Sequence, residues 1–262
     1  MELELKSKED VARMRRAGGI VAEVLQRLQE EVRPGVTTLE LDRIAEELTR
    51  KRGAVPAFKG YRVADRVFPA SLCVSINEEV VHGIPSARVL HEGDIVGLDF
   101  GVVVDGYYGD AAVTVPVGAI TKRAQHLVDA TRESLWQGIG TIRAGRRLGD
   151  LSHAIQSYAE GAGLSVVREF VGHGIGRRLH EEPQVPNFGD PGRGPQLRPG
   201  MVLALEPMVT MGSWEVRILD DGWTAVTKDG SLAAHFEHTI AITETGPEVL
   251  TGKNGGAAHG AA

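Results

Sequence analysis

Four acidic residues stand at matching places in two similar stretches of the sequence. Asp99 ends the segment LHEGDIVGLD, and Glu206 ends LRPGMVLALE, which aligns with the first segment without a gap 107 positions later. A second acid follows each of these: Asp110 opens the apolar segment AAVTV, and Glu237 opens HTIAI. A carboxylate at the end of a buried apolar run is costly unless it is paired or binds a cation. This repeated feature therefore predicts two half-sites that face each other.

One histidine is expected to join these acids. His173 lies between glycines in GHGIG, where the backbone can be approached closely from both sides. Four carboxylates cannot share a small volume without binding protons or cations, and two divalent ions would neutralise them. Carboxylate oxygens with one imidazole suit Mn, Fe(II), Co or Zn, and paired metals form hydrolytic centres. A single acid could instead be a gatekeeper at a sheet edge or half of an ion pair. The symmetric set favours metals.

Two further histidines share a local motif. His82-Gly-Ile-Pro and His180-Glu-Glu-Pro both read His-x-x-Pro, and each lies upstream of an acidic strand. A histidine alone is more often structural, but the matching contexts predict that these two are proton donors of the site. The remaining central histidines are expected to be structural: His91, His126, His153, His235 and His238. Cys73 lies in an apolar strand with no base near it in sequence, so it is not expected to be a nucleophile.

The elements around these residues are also repeated. Residues 32–53 and 142–163 align without a gap, so each half has the order helix, helix, His-x-x-Pro, acidic strand, acidic strand. Ser7 and the Thr37-x-x-Glu40 capping box are predicted to begin the first two helices. The offsets of the repeat are too long for a solenoid. We therefore expect a duplicated fold with pseudo-two-fold symmetry.

A two-residue period over 95–104 places one apolar face against the helices and Asp99 on the other face. A turn near Asp105 and Gly106 would then return the chain. Pairing centred between residues 104 and 105 is predicted to set Asp110 directly opposite Asp99. Two like charges across a strand pair are destabilising, and a cation between them would reverse the sign of that interaction.

Composition narrows the class of protein. The net charge is −6 and the pI is near 5.9, which argues against specific binding of nucleic acid. The single cysteine suits a reducing cytosol. The charged segment MELELKSKED is unlike a signal peptide, and no uncharged run approaches the roughly 20 residues that span a bilayer. We expect a cytoplasmic protein with no membrane association and a disordered tail over 252–262.

The motifs VVHGIP, GLDFG, YGDAAVT, FVGHGIGRRLHEEP, MVLALEPM and HFEHTI occur in this order within residues 8–251. This pattern resembles the type I methionine aminopeptidases of the pita-bread fold, in their short bacterial form. The resemblance implies an α+β fold with a curved antiparallel sheet covered by two pairs of helices. It also implies one catalytic domain over 1–251, with half-repeats of about 1–117 and 118–251.

The resemblance also implies roles for individual residues. The family's five metal ligands fall on Asp99, Asp110, His173, Glu206 and Glu237, and its two substrate-side histidines fall on His82 and His180. Its methionine pocket falls on Phe58, Tyr61, Phe68, Cys73 and Trp223. The loop 60–69 is longer than the family's usual pattern, and Leu179 replaces an aromatic residue commonly found before the second histidine. Both departures affect the preference for the substrate side chain, and neither affects the metals.

The implied activity is removal of N-terminal methionine from nascent proteins and peptides, with a small second residue preferred. The mechanistic hypothesis has a hydroxide bridging two divalent ions as the nucleophile. Glu206 relays its proton to the leaving nitrogen, His180 donates to the oxyanion, and His82 positions the peptide nitrogen. A monomer with a transient ribosome contact is expected.

Two other functions fit parts of the pattern. An Xaa-Pro aminopeptidase or prolidase resembles this catalytic half but carries a further N-terminal domain, and here the first helix of the catalytic half begins at about residue 8. A non-catalytic pita-bread module that binds protein or nucleic acid would be expected to have lost metal ligands. All five are present in this sequence.

Overall fold

The computed structural model of this protein describes residues 3–252. The tail predicted to be disordered therefore lies, apart from Gly252, outside the described residues. The helices are α1 Lys8–Glu31, α2 Thr38–Lys51, α3 Lys122–Thr141 and α4 Leu148–Gly161. The strands of the first half are β1 Val55–Pro56, β2 Arg62–Val63, β3 Arg66–Val67, β4 Cys73–Ile76, β5 Glu79–Val81, β6 Ile95–Val104 and β7 Tyr107–Pro116. Those of the second half are β8 Ser165–Val166, β9 Gly172–Gly174, β10 Glu181–Val185, β11 Val202–Leu205, β12 Met208–Thr210, β13 Val216–Ile218, β14 Ala225–Thr227, β15 Ala233–His235, β16 Glu237–Thr243 and β17 Gly246–Val249.

The first two helices begin where the sequence predicts. The Ser7 hydroxyl accepts from the Asp10 backbone N–H at 3.2 Å, and the Asp10 carboxylate accepts from the Ser7 N–H at 3.0 Å. Thr37 and Glu40 form the same reciprocal pair, at 3.2 and 2.7 Å. Each arrangement satisfies two N–H groups that the helix leaves free, and a cap of this kind contributes about 1 kcal/mol.

A nine-stranded sheet forms the centre of the fold. Its main order is β1-β6-β7-β16-β11-β9-β10, with β4 paired to β6 and β17 paired to β16, and every pairing in it is antiparallel. The apolar faces of α1 and α2 pack on the first-half strands in one core. Those of α3 and α4 pack on the second-half strands in another. The predicted α+β class is confirmed, and the opposite face of the sheet is left for the site. Within residues 3–252, no helix is long and apolar enough to cross a membrane.

The repeat seen in the sequence recurs as repeated hydrogen bonds. Gly35 donates its N–H to the Leu90 carbonyl at 2.9 Å, and Gly145 donates to Leu197 at 2.9 Å. Both glycines have a positive φ, 93° and 90°, which only glycine adopts without strain. The turn before each second helix is therefore fixed to the turn before the matching acidic strand. The half boundaries at 117 and 118 stay a prediction.

The register of the β6–β7 hairpin corrects one expectation. Asp105 and Gly106 both have a positive φ, 52° and 77°, and Val104 pairs with Tyr107. This is the two-residue primed turn that matches strand twist, and it centres the pairing between 105 and 106. Asp99 therefore faces Ala112 and not Asp110, which faces Gly101. The two acids are diagonal neighbours on one face, so the prediction of direct opposition was wrong.

Candidate active site

Two rows of side chains cross the sheet on the face turned away from the helices. The first row runs through Cys73, Asp99, Ala112 and Glu237, because Cys73 pairs with Asp99 and both acids pair with Ala112. These residues lie on four adjacent strands, β4, β6, β7 and β16. The small Ala112 side chain between the two acids leaves space above the sheet. The pairing thus brings acids from both halves of the chain into one line.

The second row lies two residues further along the strands, so its side chains project from the same face. Asp110 is joined to Thr239 by two bonds: its N–H donates to the threonine hydroxyl at 3.0 Å, and its carbonyl accepts from that hydroxyl at 2.7 Å. Thr239 pairs with Ala204, and Ala204 pairs with His173. A second alanine therefore separates the threonine from the histidine, and the row is again open above its small residue.

A cavity of about 180 Å³ opens over these rows. Every residue that the sequence and the resemblance single out lines it: Phe58, Tyr61, Phe68, Cys73, His82, Asp99, Asp110, His173, His180, Glu206, Trp223 and Glu237. Val63 and Leu179 complete its wall. Polar groups gather on the sheet side of the cavity, and apolar rings form the other side. The structure thus brings together all the predicted site residues, whose roles stay predictions.

The donor atoms fit a divalent cation. Asp110, His173 and Glu237 each offer one ligand atom, and these atoms lie within 4.8 Å of one another. All three side chains are buried. Among residues 3–252, the buried oxygens without a hydrogen-bond partner include Asp99 Oδ1, Asp110 Oδ1 and Glu237 Oε1. Unpaired buried carboxylate oxygens are rare in proteins, and a bound cation would satisfy them.

Burial raises the pKa of each acid, as expected for carboxylates that lack a neighbouring cation. Loss of water raises the pKa of Asp110 to about 7. Desolvation, together with the charge of Asp110, raises the pKa of Asp99 well above its usual value. The pKa values of Glu206 and Glu237 are also raised well above the usual value, first by desolvation and then by the neighbouring acids. The protein alone therefore holds these groups poorly as anions, and cations would reverse that preference.

His173 is oriented as a ligand. Its Nδ1 contacts the Gly174 carbonyl at 2.9 Å, which places the ring proton on Nδ1 and leaves the Nε2 lone pair free. Nε2 lies 3.4 Å from Glu206 Oε1. The flanking glycines are required, since a Cβ on Gly172 or Gly174 would come within 2.3 Å of a backbone oxygen on a neighbouring strand. The glycine pattern around His173 thus has the close-approach origin predicted from the sequence.

The two other histidines stand at different depths. His82 has a φ of 63°, which is strained for a residue with a Cβ, and its ring meets Phe170 edge-on at 5.3 Å. Desolvation, with a smaller contribution from His180, lowers the pKa of His82 to about 4. His180 is exposed at the mouth of the cavity. Partial loss of water around its ring lowers its pKa as well. Both imidazoles are therefore neutral near pH 7.

Aromatic rings line the far side of the cavity. Phe68 contacts Phe58 at 6.5 Å and Trp223 at 5.2 Å between ring centroids, both edge-on. The longer loop noted in the sequence forms the β2–β3 hairpin, whose Arg66 stacks over Trp223 at 5.7 Å and donates to the Gly222 carbonyl. These contacts join the hairpin to the turn that carries Trp223, and the hairpin forms one side of the pocket.

Sequence reasoning missed three residues at the site. Thr239 anchors Asp110, as described above. His235, expected to be merely structural, is buried with Nε2 3.7 Å from Glu206 Oε2. Asn187, also buried, donates to the Glu206 backbone carbonyl at 3.0 Å. Thr239 lies two residues after Glu237, so its position on the same strand face was the one signal available. The contacts of His235 and Asn187 depend on tertiary pairing.

The fold and the cluster of acids define the class as metal-dependent hydrolases. The sequence profile of metallopeptidase family M24 matches residues 12–244, and the chain belongs to that family. It is 56% identical to the methionine aminopeptidase of Clostridium perfringens over 94% of this chain and 98% of that protein. It is 53% identical to methionine aminopeptidase 1 of Bacillus subtilis, with the same shares covered. The predicted resemblance to the short bacterial type I enzymes is confirmed.

Solved structures agree with this assignment. The methionine aminopeptidase of Thermotoga maritima superposes with a TM-score of 0.93 at 49% identity, over 96% of this chain and 100% of that chain. The Xaa-Pro dipeptidase of Bacillus anthracis, at 24% identity, shares the fold alone, with a TM-score of 0.74. This chain covers 95% of its own length but only 62% of the dipeptidase. The predicted pita-bread fold is confirmed.

Proposed function

We propose that this protein is a methionine aminopeptidase that removes N-terminal methionine from nascent proteins and peptides and prefers a small second residue. The observation that carries the proposal is a cavity that combines a carboxylate and imidazole floor with an aromatic wall. Its identity of about half with methionine aminopeptidases, over nearly the whole chain, supports the same activity.

We propose that Asp99, Asp110, His173, Glu206 and Glu237 hold two divalent ions, of Co, Mn, Fe(II) or Zn. Four carboxylates balance the charge of two such ions, and the unpaired buried oxygens supply ligand positions. When bound, the ions would lower the pKa of a water molecule and polarise the scissile carbonyl. The acids come from both halves of the chain, so neither half holds the pair alone.

Side chains of this protein would carry out proton transfer, oxyanion stabilisation and substrate positioning. Glu206 faces the cavity between His173 and His235, where its carboxylate would take a proton from the attacking water and pass it to the leaving nitrogen. Neutral His180 at the mouth would donate a hydrogen bond to the developing oxyanion. Neutral His82, whose φ is 63°, would position the peptide nitrogen of the substrate.

The aromatic wall would accept the methionine side chain. Phe58, Phe68 and Trp223 present apolar ring edges, and the buried Cys73 presents a soft sulfur beside Asp99. Burial and the nearby acids raise the pKa of the Cys73 thiol well above its ordinary value, so it stays a neutral wall residue. Leu179, buried in the same wall, places a branched side chain where the resemblance implies an aromatic ring, which would change the shape of the pocket for the thioether.

We further propose that the enzyme acts as a cytoplasmic monomer on nascent chains, with a transient contact to the ribosome. Its single cysteine supports a reducing compartment. A metal held in this cavity would bind a free α-amino group, which a peptide has only at its chain end, and this favours an exopeptidase. The complete ligand set argues against a non-catalytic binding module. Identity of more than half with methionine aminopeptidases, against 24% with the Xaa-Pro dipeptidase of Bacillus anthracis, favours methionyl substrates over the prolidase alternative.

The proposal is tested by cleavage of Met-Ala-Ser with added Mn or Co. Wild-type protein should release methionine, and the Glu206→Ala and Asp110→Ala variants should lose at least about 100-fold in rate. A parallel assay with Met-Pro and Pro-free peptides separates the prolidase alternative. Wild-type rates in either variant, or activity confined to Xaa-Pro peptides, would contradict the proposal.

A further inference from the structure

His173 and His180 are neighbours whose Nδ1 atoms have different partners. Their ring centroids lie 4.3 Å apart at an interplanar angle of 63°. Nδ1 of His173 contacts the Gly174 carbonyl at 2.9 Å, whereas Nδ1 of His180 contacts the Tyr61 hydroxyl at 2.6 Å. A carbonyl can only accept a hydrogen bond, but a phenol can donate one. The two partners therefore allow opposite tautomers in adjacent rings.

We propose that Tyr61 is a positioning residue for His180: its hydroxyl donates to Nδ1, so that the imidazole carries its proton on Nε2. This N–H is then the donor available inside the cavity. The inference rests on the proposed function, in which the scissile carbonyl is the group that receives it. Tyr61 thus has a role beyond forming part of the wall of the methionine pocket. His173 keeps a bare Nε2 for a metal, and His180 offers an N–H to the substrate.

The geometry around Tyr61 is rigid enough for this role. Its backbone N–H donates to the Phe58 carbonyl at 2.8 Å, and its carbonyl accepts from the Phe68 N–H at 2.8 Å. Its ring also meets the His180 ring edge-on, at 5.3 Å between centroids and 62°. The imidazole is therefore held between Tyr61 and His173, and rotation of the ring would break the hydrogen bond to the phenol.

The protonation states are consistent with a phenol donor. Desolvation raises the pKa of Tyr61 above its usual value, so the hydroxyl keeps its proton. A neutral imidazole has two possible tautomers, and the Tyr61 hydroxyl 2.6 Å from Nδ1 is the partner that selects one of them. The alternative, in which His180 donates from Nδ1 to the phenol oxygen, would leave Nε2 without a proton and with no hydrogen bond to give to a carbonyl.

Replacing Tyr61 with phenylalanine separates the two roles of the residue. The Tyr61→Phe variant keeps the aromatic wall but removes the hydrogen bond, so KM for Met-Ala-Ser should change by less than about 2-fold. Loss of an oxyanion donor costs 10²–10³-fold in kcat, and loss of its orientation alone should cost about 10-fold. In a His180→Ala background, the same replacement should have no further effect on kcat, because the two residues act as one unit.

The tautomer can be measured directly by ¹⁵N NMR of histidine-labelled, metal-free protein at pH 7.5. The His180 signals are assigned from their loss in His180→Ala. Nε2 of His180 should carry the proton and Nδ1 should accept, and the Tyr61→Phe variant should shift the Nδ1 signal. Tyr158→Phe, on the exposed face of α4, is the matched control and should alter neither spectrum nor rate.

Three outcomes would overturn the inference: a proton on Nδ1 of wild-type His180, wild-type kcat in Tyr61→Phe, or additive effects of the two replacements. The wild-type NMR measurement needs no variant to fold. It is also independent of activity. A protein that cleaves no methionyl peptide would refute the proposed function, while the tautomer of His180 would still be decided.

Discussion

Without bound metal, the stability of this protein should fall as the pH rises above about 7.5. The cause is a group of buried acids whose pKa values are raised in the folded chain. Burial raises the pKa of Asp110 to about 7, and the pKa values of Asp99, Glu206 and Glu237 also lie well above the usual value. The metal-free folded chain holds protons that the unfolded chain releases. The stabilisation this gives is complete below the ordinary carboxyl pKa and is lost as the pH passes through the folded values.

The histidines of the site act in the opposite direction but at lower pH. Burial depresses the pKa of His82 to about 4 and of His173 and His235 to about 3. Their contribution is present above the ordinary value near 6.5 and is lost as the pH falls through 4 and 3. In the unfolded chain about a quarter of each imidazole still carries a proton at pH 7, and about a tenth or less does above pH 7.5. The carboxyl effect therefore dominates from about pH 7.5 to 8.5.

The expected magnitude follows from proton linkage. Each proton held only by the folded chain gives a slope of about 1.4 kcal/mol per pH unit. With one or two such protons, the free energy of unfolding should fall by about 1 to 3 kcal/mol per unit. For a chain of this size that lowers Tm by about 3 to 8 °C per unit. Metal binding requires ionised carboxylates, so the loaded protein should show a flat or reversed slope.

The assay is differential scanning calorimetry of chelator-treated and Mn-loaded protein at quarter-unit steps from about pH 7.5 to 8.5. Asp110→Asn removes one titrating group and should make the metal-free slope shallower. Asp129→Asn, on the exposed side of α3, is the matched control and should leave the slope unchanged. A metal-free Tm that is constant within about 1 °C across this window would refute the account of the buried acids.

Two replacements test the supports of the site. Thr239→Val removes both hydrogen bonds to Asp110 and should lower the unfolding free energy by about 1 to 3 kcal/mol and metal affinity by about 10-fold, measured by melting and calorimetric titration. If Thr239→Val bound metal as tightly as the control Thr245→Val, whose replaced residue is exposed, the proposed role of Thr239 would be contradicted. The Lys6 ammonium lies 2.7 Å from the buried Glu181 carboxylate. Lys6→Met would leave that carboxylate without its cation and should lower the free energy of unfolding, measured with urea, by about 3 kcal/mol. Lys8→Met is the control and should not lower it by this amount.

The chemistry of the site could be predicted from the sequence because it depends on local pattern. Asp99 and Glu206 end matching apolar runs, and the flanking glycines of His173 mark a close approach of backbones. The first residues of the helices could be predicted equally well, since a capping box spans only four residues. The duplicated order of elements then indicated that the acids of the two halves face each other.

The rest depends on pairing between distant segments. The expected register placed Asp110 opposite Asp99, but the two-residue turn moved the centre by one position and placed Ala112 there. A shift of that size changes every cross-strand neighbour. The contact between His235 and Glu206 and the bond between Tyr61 and His180 join residues that are 29 and 119 positions apart. No periodicity within one segment specifies such contacts.

We propose above that acids from both halves of the chain jointly hold two cations. The most direct test of this proposal is the number of Mn or Co ions bound per chain at pH 7.5, measured by metal analysis after equilibrium dialysis. Wild-type protein should bind two ions with site-specific affinity, and Asp110→Ala should lose at least one. Fewer than two ions bound by the wild-type protein, or no more than are bound by a variant with Asp110 and Glu237 both replaced by alanine, would contradict it.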